Sequence, residues 1–153
     1  MRKGRRLLSA KKARENNMEK SCIEKKVYYH DTDCGGVVYY ANYLKYFEEG
    51  RSEYLLNNGI SLKELAEGGV YFAVAHTQAD YQSPARYQDI LQVSTAIEKI
   101  GKCSIDFLQQ ISMGSKLLVE AKTTLVCINK DFKPIALLQS VRDKITSSSR
   151  DDP

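Results

Sequence analysis

A chain of 153 residues with 42% hydrophobic and 27% charged residues has the length and composition of one ordinary folded domain. It can bury roughly 70% of its unfolded surface, so it needs no disulfide framework or structural metal, and no apolar run approaches the roughly 20 residues of a membrane helix. The net charge of +4 is unevenly spread: residues 1–26 carry +7 and the rest −3, which places the excess positive charge in a tail and sets nucleic acid aside as the expected partner of the domain.

Residues 1–21 form that basic, polar tail. Leu7 and Leu8 are its only strongly apolar residues near the start, so the h-region of a secretory signal is missing. Three readings of the tail stay open: an arm for nucleic acid or anionic lipid, a solvated extension, or a translation start at Met18. A domain is expected over 22–146, with a polar tip over 147–153. Ile23 to His30 alternates, with Ile23, Lys25, Val27 and Tyr29 on one side, which predicts a strand. Asp31 to Gly36 breaks it. From Val38 the period becomes helical through Tyr39, Tyr43, Phe47, Arg51, Tyr54 and Leu55, and Asn57-Asn58-Gly59 ends the helix. Ser61 and Glu64 make a capping box for a short second helix to Glu67.

The remainder reads mostly as strands. Val70 to Tyr81 alternates around Phe72, Val74 and His76. Ser83-Pro84-Ala85-Arg86 is a loop. Ile90 to Lys99, Cys103 to Ile111 and Lys116 to Asn129 alternate in turn, separated by Gly101-Lys102 and Gly114-Ser115. The segment from Pro134 is compatible with strand or helix. One long amphipathic helix followed by antiparallel strands is an α+β layer arrangement.

Chemistry concentrates between Val27 and Arg51. Two carboxylates, Asp31 and Asp33, stand beside Gly35-Gly36 just before the aromatic helix. A helix start offers free N–H groups and the positive end of a dipole. A carboxylate there can act as base or nucleophile, with a home for developing negative charge close by. Asp is also common in turns and at N-caps, so the spacing by itself leaves a purely structural role open. The cysteines Cys22, Cys34, Cys103 and Cys127 form no Cys-x-x-Cys pair, and His30 and His76 are not spaced as ligands beside them, so no metal is expected. Reduced thiols in a cytoplasm are the expected state.

The string Asp-Thr-Asp-Cys-Gly-Gly-Val-Val-Tyr-Tyr-Ala-Asn-Tyr-Leu-Lys-Tyr-Phe-Glu resembles the signature of the YbgC-type acyl-CoA thioesterases, a branch of the 4-hydroxybenzoyl-CoA thioesterase group. Ser83-Pro84-Ala85-Arg86-Tyr87-Gln88-Asp89 resembles that family's loop before its third strand, and the likeness covers about residues 23 to 145. It implies a hot-dog fold, an antiparallel sheet of about five strands wrapped around one long central helix, in a homo-oligomer (dimer or tetramer). It implies hydrolysis of an acyl-CoA thioester with no cofactor beyond the coenzyme A of the substrate. The catalytic carboxylate of the motif lands on Asp33, and the helix-start N–H that polarises the carbonyl lands on Tyr40. Gly35, Gly36, Val37, Val38 and Arg86 are the expected substrate contacts. Many members carry His where Tyr40 stands, while the 4-hydroxybenzoyl-CoA branch has Tyr; a backbone role is indifferent to the change. Cys34 occupies a position usually taken by Ala, Ser or Pro.

Two rival functions remain at this stage. A hot-dog hydratase or dehydratase acting on acyl thioesters would require His76 as an essential residue. A non-catalytic acyl-CoA or nucleic-acid binding module would use the basic tail. Arg86, Lys99, Lys102, Lys130 and Lys133, all in or near turns, are the candidate cations for coenzyme A phosphates.

Overall fold

The computed structural model describes residues 20–147. The basic tail, the Met18 start and the polar tip therefore lie almost wholly outside the described residues. Five strands form one antiparallel sheet: β1 (Ser21–Lys26), β2 (Tyr71–Tyr81), β3 (Ile90–Ile100), β4 (Ser104–Met113) and β5 (Lys116–Ile128), in the order β1-β3-β4-β5-β2. Three helices accompany them: α1 (Asn42–Asn57), α2 (Leu62–Glu67) and α3 (Gln139–Ser147). The sheet wraps around α1, as the resemblance implies. Among the described residues no helix is long and apolar enough to cross a membrane.

Curvature has a visible cause. The ladders carry an extra residue at Ala75 on β2, at Glu98 on β3 and at Leu118 on β5, the last opposite Ile111 and Ser112 of β4. An extra residue bends a strand and increases its twist, and bends spread over three strands let the sheet close on a helix.

Two expected boundaries shift. The first strand stops at Lys26, not His30. Val27 turns to the loop before β3, donating to Asp89 O at 2.9 Å and accepting from Gln88 N at 3.0 Å. The Asp31 carboxylate then takes the Tyr28 N–H at 2.9 Å, which folds Tyr29–Asp31 into a single 3-10 turn. The long helix starts at Asn42 rather than Val38, because Val37 and Val38 are held extended by bridges to Arg86 and Thr32. The segment after Pro134 is settled as a bridge to Ile128 followed by α3.

The core lies between α1 and the concave face of the sheet, in two halves. One gathers Tyr43, Tyr46 and Phe47 with Val93, Ile111 and Ala121; the other gathers Tyr54 and Leu55 with Ile97, Phe107 and Leu125. The residue between them on each strand is polar: Thr95 on β3, Gln109 on β4, Thr123 on β5. Gln109 is 1% exposed. Its amide nitrogen donates to Phe47 O at 2.8 Å and Thr95 Oγ1 at 2.9 Å, and its oxygen accepts from Arg51 Nη1 at 2.9 Å. Every polar atom of that side chain is thus engaged, which removes the cost of burying it.

This contact brings α1 very close to the sheet at Gly50. A Cβ there would meet Thr95 Oγ1 at 2.8 Å, Val93 Cγ1 at 3.0 Å and Gln109 Nε2 at 3.1 Å. Gly50→Ala should therefore destabilise the domain by about 1–3 kcal/mol from overpacking, although alanine is the better helix former by about 1 kcal/mol. Urea denaturation measures this; a variant at least as stable as the wild type would contradict the close approach.

Candidate active site

The site is assembled at one end of α1 by the turn that enters it. Asp33 N donates to Val37 O at 2.9 Å and Tyr39 N to Asp31 O at 2.9 Å, so Thr32 and Val38 face each other across a tight reversal. Gly36 closes that reversal at φ +72°, in the left-handed region that favours glycine. At Gly35 the reason is space: a Cβ would stand 3.1 Å from Asp33 Oδ1. The Gly35 N–H donates to that oxygen at 2.8 Å, which leaves Oδ2 with no hydrogen-bond partner among the described residues. Asp33 is exposed, and its charge is felt at Tyr39 and Tyr43.

The opening turn of α1 supplies donors. Asn42 N donates to Tyr39 O at 2.8 Å and Leu44 N to Ala41 O at 3.1 Å, whereas the Tyr40 N–H meets no acceptor among the described residues. Three contacts hold this turn. The Asp31 carbonyl accepts from the buried Asn42 amide at 2.8 Å. The Tyr43 hydroxyl accepts from Ala85 N at 2.9 Å, which ties the 83–86 loop to the helix. The Tyr81 hydroxyl, from the end of β2, donates to Tyr40 O at 3.0 Å.

The expected site residues thus come together. Asp33, Gly35 and Gly36 line the exposed turn, Tyr40 lies in the turn just ahead of α1, and the Arg86 backbone bridges Val37. Val38 is 3% exposed and belongs to the core, and its N–H is spent on Ala85 O at 2.9 Å, which counts against it as a substrate contact. Asp31 is 6% exposed and is occupied with the Tyr28 N–H, a structural part. Cys34 is exposed beside Asp33, while His30 stacks on Tyr28 and faces Asp31 at 3.5 Å, away from any thiol. Lys99, Lys102, Lys130 and Lys133 fall at or just beyond the ends of β3 and β5, opposite the end that carries Arg86.

His76 is not part of this constellation. The alternation of Phe72, Val74 and His76 puts all three on one face, but the bulge at Ala75 breaks the period. Val74 pairs with Leu125, whereas His76 pairs with Thr124, on the convex face, and is exposed. Sequence reasoning missed Tyr43, Tyr81 and Asn42 as parts of the site. A tyrosine where a phenylalanine would fill an apolar stripe equally well was the available signal, because a buried hydroxyl needs a partner.

Four phenols near the site, Tyr39, Tyr43, Tyr46 and Tyr81, are held above their ordinary pKa. Tyr39 is raised above 10.0, first by hydrogen bonding with Tyr40, then by its charge. Burial raises Tyr43 and Tyr81, and burial followed by the Asp31 charge raises Tyr46. Each hydroxyl therefore keeps its proton at neutral pH. Among the described residues no group of His, Cys, Asp and Glu is arranged to hold a metal ion.

Comparison with known proteins agrees with this geometry. Residues 27–145 match the family model of the thioesterase-like superfamily. The acyl-CoA thioester hydrolase YbgC of Escherichia coli O157:H7 is 38% identical over 118 residues, covering 76% of this chain and 88% of that protein. The acyl-CoA thioesterase YbgC of Haemophilus influenzae is 35% identical over 119 residues, with the same coverage of 76% and 88%. Among solved structures, a probable thioesterase from Bartonella henselae superposes with a TM-score of 0.76 at 35% identity, covering 78% of this chain and 100% of that one. A 1,4-dihydroxy-2-naphthoyl-CoA thioesterase from Synechocystis gives 0.80 at 28% identity, covering 88% and 100%.

The Tyr81 clamp is testable. Tyr81→Phe should lower stability by about 1 kcal/mol, the net worth of one hydrogen bond, and should raise amide exchange in the first turn of α1. Unchanged exchange at Tyr40 to Leu44 would show that the hydroxyl does not hold the turn.

Proposed function

The chain belongs to the thioesterase-like superfamily, in its YbgC-type branch with the hot-dog fold, and is a thioester hydrolase; from that premise we propose that it hydrolyses an acyl-CoA to free acid and coenzyme A, with Asp33 as the reacting carboxylate. The observation that carries this reading is the pairing of a free Asp33 carboxylate oxygen with an unclaimed Tyr40 N–H at the start of α1.

The chemistry follows from that pair. The thioester carbonyl accepts from the Tyr40 N–H, which together with the helix dipole stabilises the negative charge that develops on oxygen. As general base, Asp33 removes a proton from water; the hydroxide attacks the carbonyl carbon, the C–S bond breaks, and the thiolate takes up a proton. As nucleophile, Asp33 attacks the carbonyl carbon, the C–S bond breaks to release the coenzyme A thiolate, which takes up a proton, and water then cleaves the resulting mixed anhydride to the free acid and the Asp33 carboxylate. Both routes need only a carboxylate, water and oriented donors. Gly35 and Gly36 let the backbone approach the thioester, Val37 offers main-chain contacts, and Arg86 serves the coenzyme A phosphates.

We also place the protein in the cytoplasm, in keeping with its four free cysteines, and as a homo-oligomer. β2 is an edge strand, and its open backbone edge is one that a second copy would pair with. His76, exposed on the convex face, lends no support to a hydratase.

A thiol-release assay over short, long and aromatic acyl-CoAs tests the proposal. Wild type should release coenzyme A from at least one class, and Asp33→Asn should lower kcat/KM by about 100-fold or more. Full activity in the Asn variant would overturn the role of Asp33; no release from any acyl-CoA would overturn the activity.

A further inference from the structure

A groove with a volume of about 510 Å³ runs beside α1, lined by Leu44, Phe47, Val74, Glu48, Arg51 and Thr77 among others. That volume falls within the usual range for small-molecule sites, about 300–1,000 Å³. Its direction is set by the helix. Tyr40, Leu44, Glu48 and Arg51 recur at three- and four-residue steps and share one face. The other wall is β2, whose Tyr81 is bonded to Tyr40 O and whose Thr77 and Val74 follow in the same direction along the helix. The groove therefore begins about one turn from the Tyr40 N–H and leads away from it, where an acyl chain must go once its thioester is seated.

Lys45 and Glu49 also line the groove, beside Leu44 and Glu48, and its far end carries Arg51. Arg51 is 7% exposed and spends Nη1 on Gln109. Its other N–H groups have no acceptor among the described residues, and Arg51 lines the groove. Burial lowers the Arg51 pKa below its ordinary value, and the Glu48 charge opposes that shift. Glu48 is exposed and accepts from Ser52 Oγ at 2.7 Å with one oxygen only. Thr77 and Thr123 share a hydrogen bond at 2.8 Å on the opposite wall.

Resting on the acyl-CoA reading above, the geometry points to an acyl group that carries a hydroxyl at its distal end, with Arg51 and Glu48 as the residues that select it. A hydroxyl donates once and accepts twice, so it satisfies the guanidinium and the carboxylate together. An unsubstituted chain would strip water from the buried Arg51 guanidinium and replace it with nothing. Arg51 stands three turns beyond Tyr40, roughly 16 Å of helix rise, and its side chain leans back toward the helix start. The two charged groups thus lie on the order of 10 Å from the Tyr40 N–H, the reach of a medium-length chain of about eight carbons.

The test compares octanoyl-CoA with 8-hydroxyoctanoyl-CoA by thiol release. The wild type should favour the hydroxylated ester in kcat/KM by about tenfold, and Glu48→Gln and Arg51→Met should each bring the ratio to one or below. Circular dichroism checks folding; if Arg51→Met does not fold, Glu48→Gln, at an exposed position, decides. A wild-type preference for octanoyl-CoA, or a ratio that neither variant moves, would overturn the assignment while leaving the thioesterase standing. Loss of release from every acyl-CoA would instead overturn the activity on which it rests.

Discussion

The close approach of α1 to the sheet at Gly50 is the constraint on which the rest depends. Without a Cβ at that point, the helix backbone lies against Thr95 and Val93, and Phe47 O can reach the Gln109 amide. Gln109 then bonds β3 through Thr95 and the helix through Arg51. One side chain thereby sets the depth, rotation and register of the central helix. Apolar packing is tolerant of sliding, whereas a fully bonded buried amide accepts one geometry. The polar layer also divides the core into two halves, each closed by its own aromatic residues.

Once the helix is placed, its first turn is placed with it, and the reactive groups inherit that position. Asn42, Tyr43 and Tyr81 connect the turn to the Asp31 carbonyl, to the 83–86 loop and to β2 respectively. Each bond spends a group that would otherwise need water, and none uses the Tyr40 N–H or the second oxygen of Asp33. Donors fixed before reaction stabilise developing charge without reorganisation. The second Asp33 oxygen and the Tyr40 N–H, on which the proposed chemistry rests, are left free while the groups around them are held.

The same buried layer reaches outward to the edge strand. Thr123 continues it on β5 and bonds Thr77 on β2, while the bulge at Ala75 keeps Val74 and Thr77 together on the concave side and turns His76 to the other. A single inserted residue thus decides which side chains line the groove and removes the histidine from it. Arg51 takes part in both functions, bonding the core amide with one nitrogen and facing the groove with others.

Much of this was legible in the residues. Alternation over β2 to β5, the helical stripe from Tyr39 to Leu55 and the Ser61 capping box follow from periodicity and local hydrogen bonding, which are short-range properties of the chain. The glycines between Asp33 and Val37 marked the turn, and the motif assigned Asp33 and Tyr40 before any fold was in view. What the sequence left undecided depended on distant partners. The end of β1 was set by Asp89 and the Asp31 carboxylate, and the face of His76 by a bulge that alternation cannot register. Nothing local in the sequence marks Gly50 as a point of close approach or Gln109 as a buried, fully bonded amide. The sequence by itself determined the order of the elements and the reactive stretch. Only the tertiary structure decided which polar groups are spent on one another and which remain free, because that depends on contacts between residues far apart in the chain.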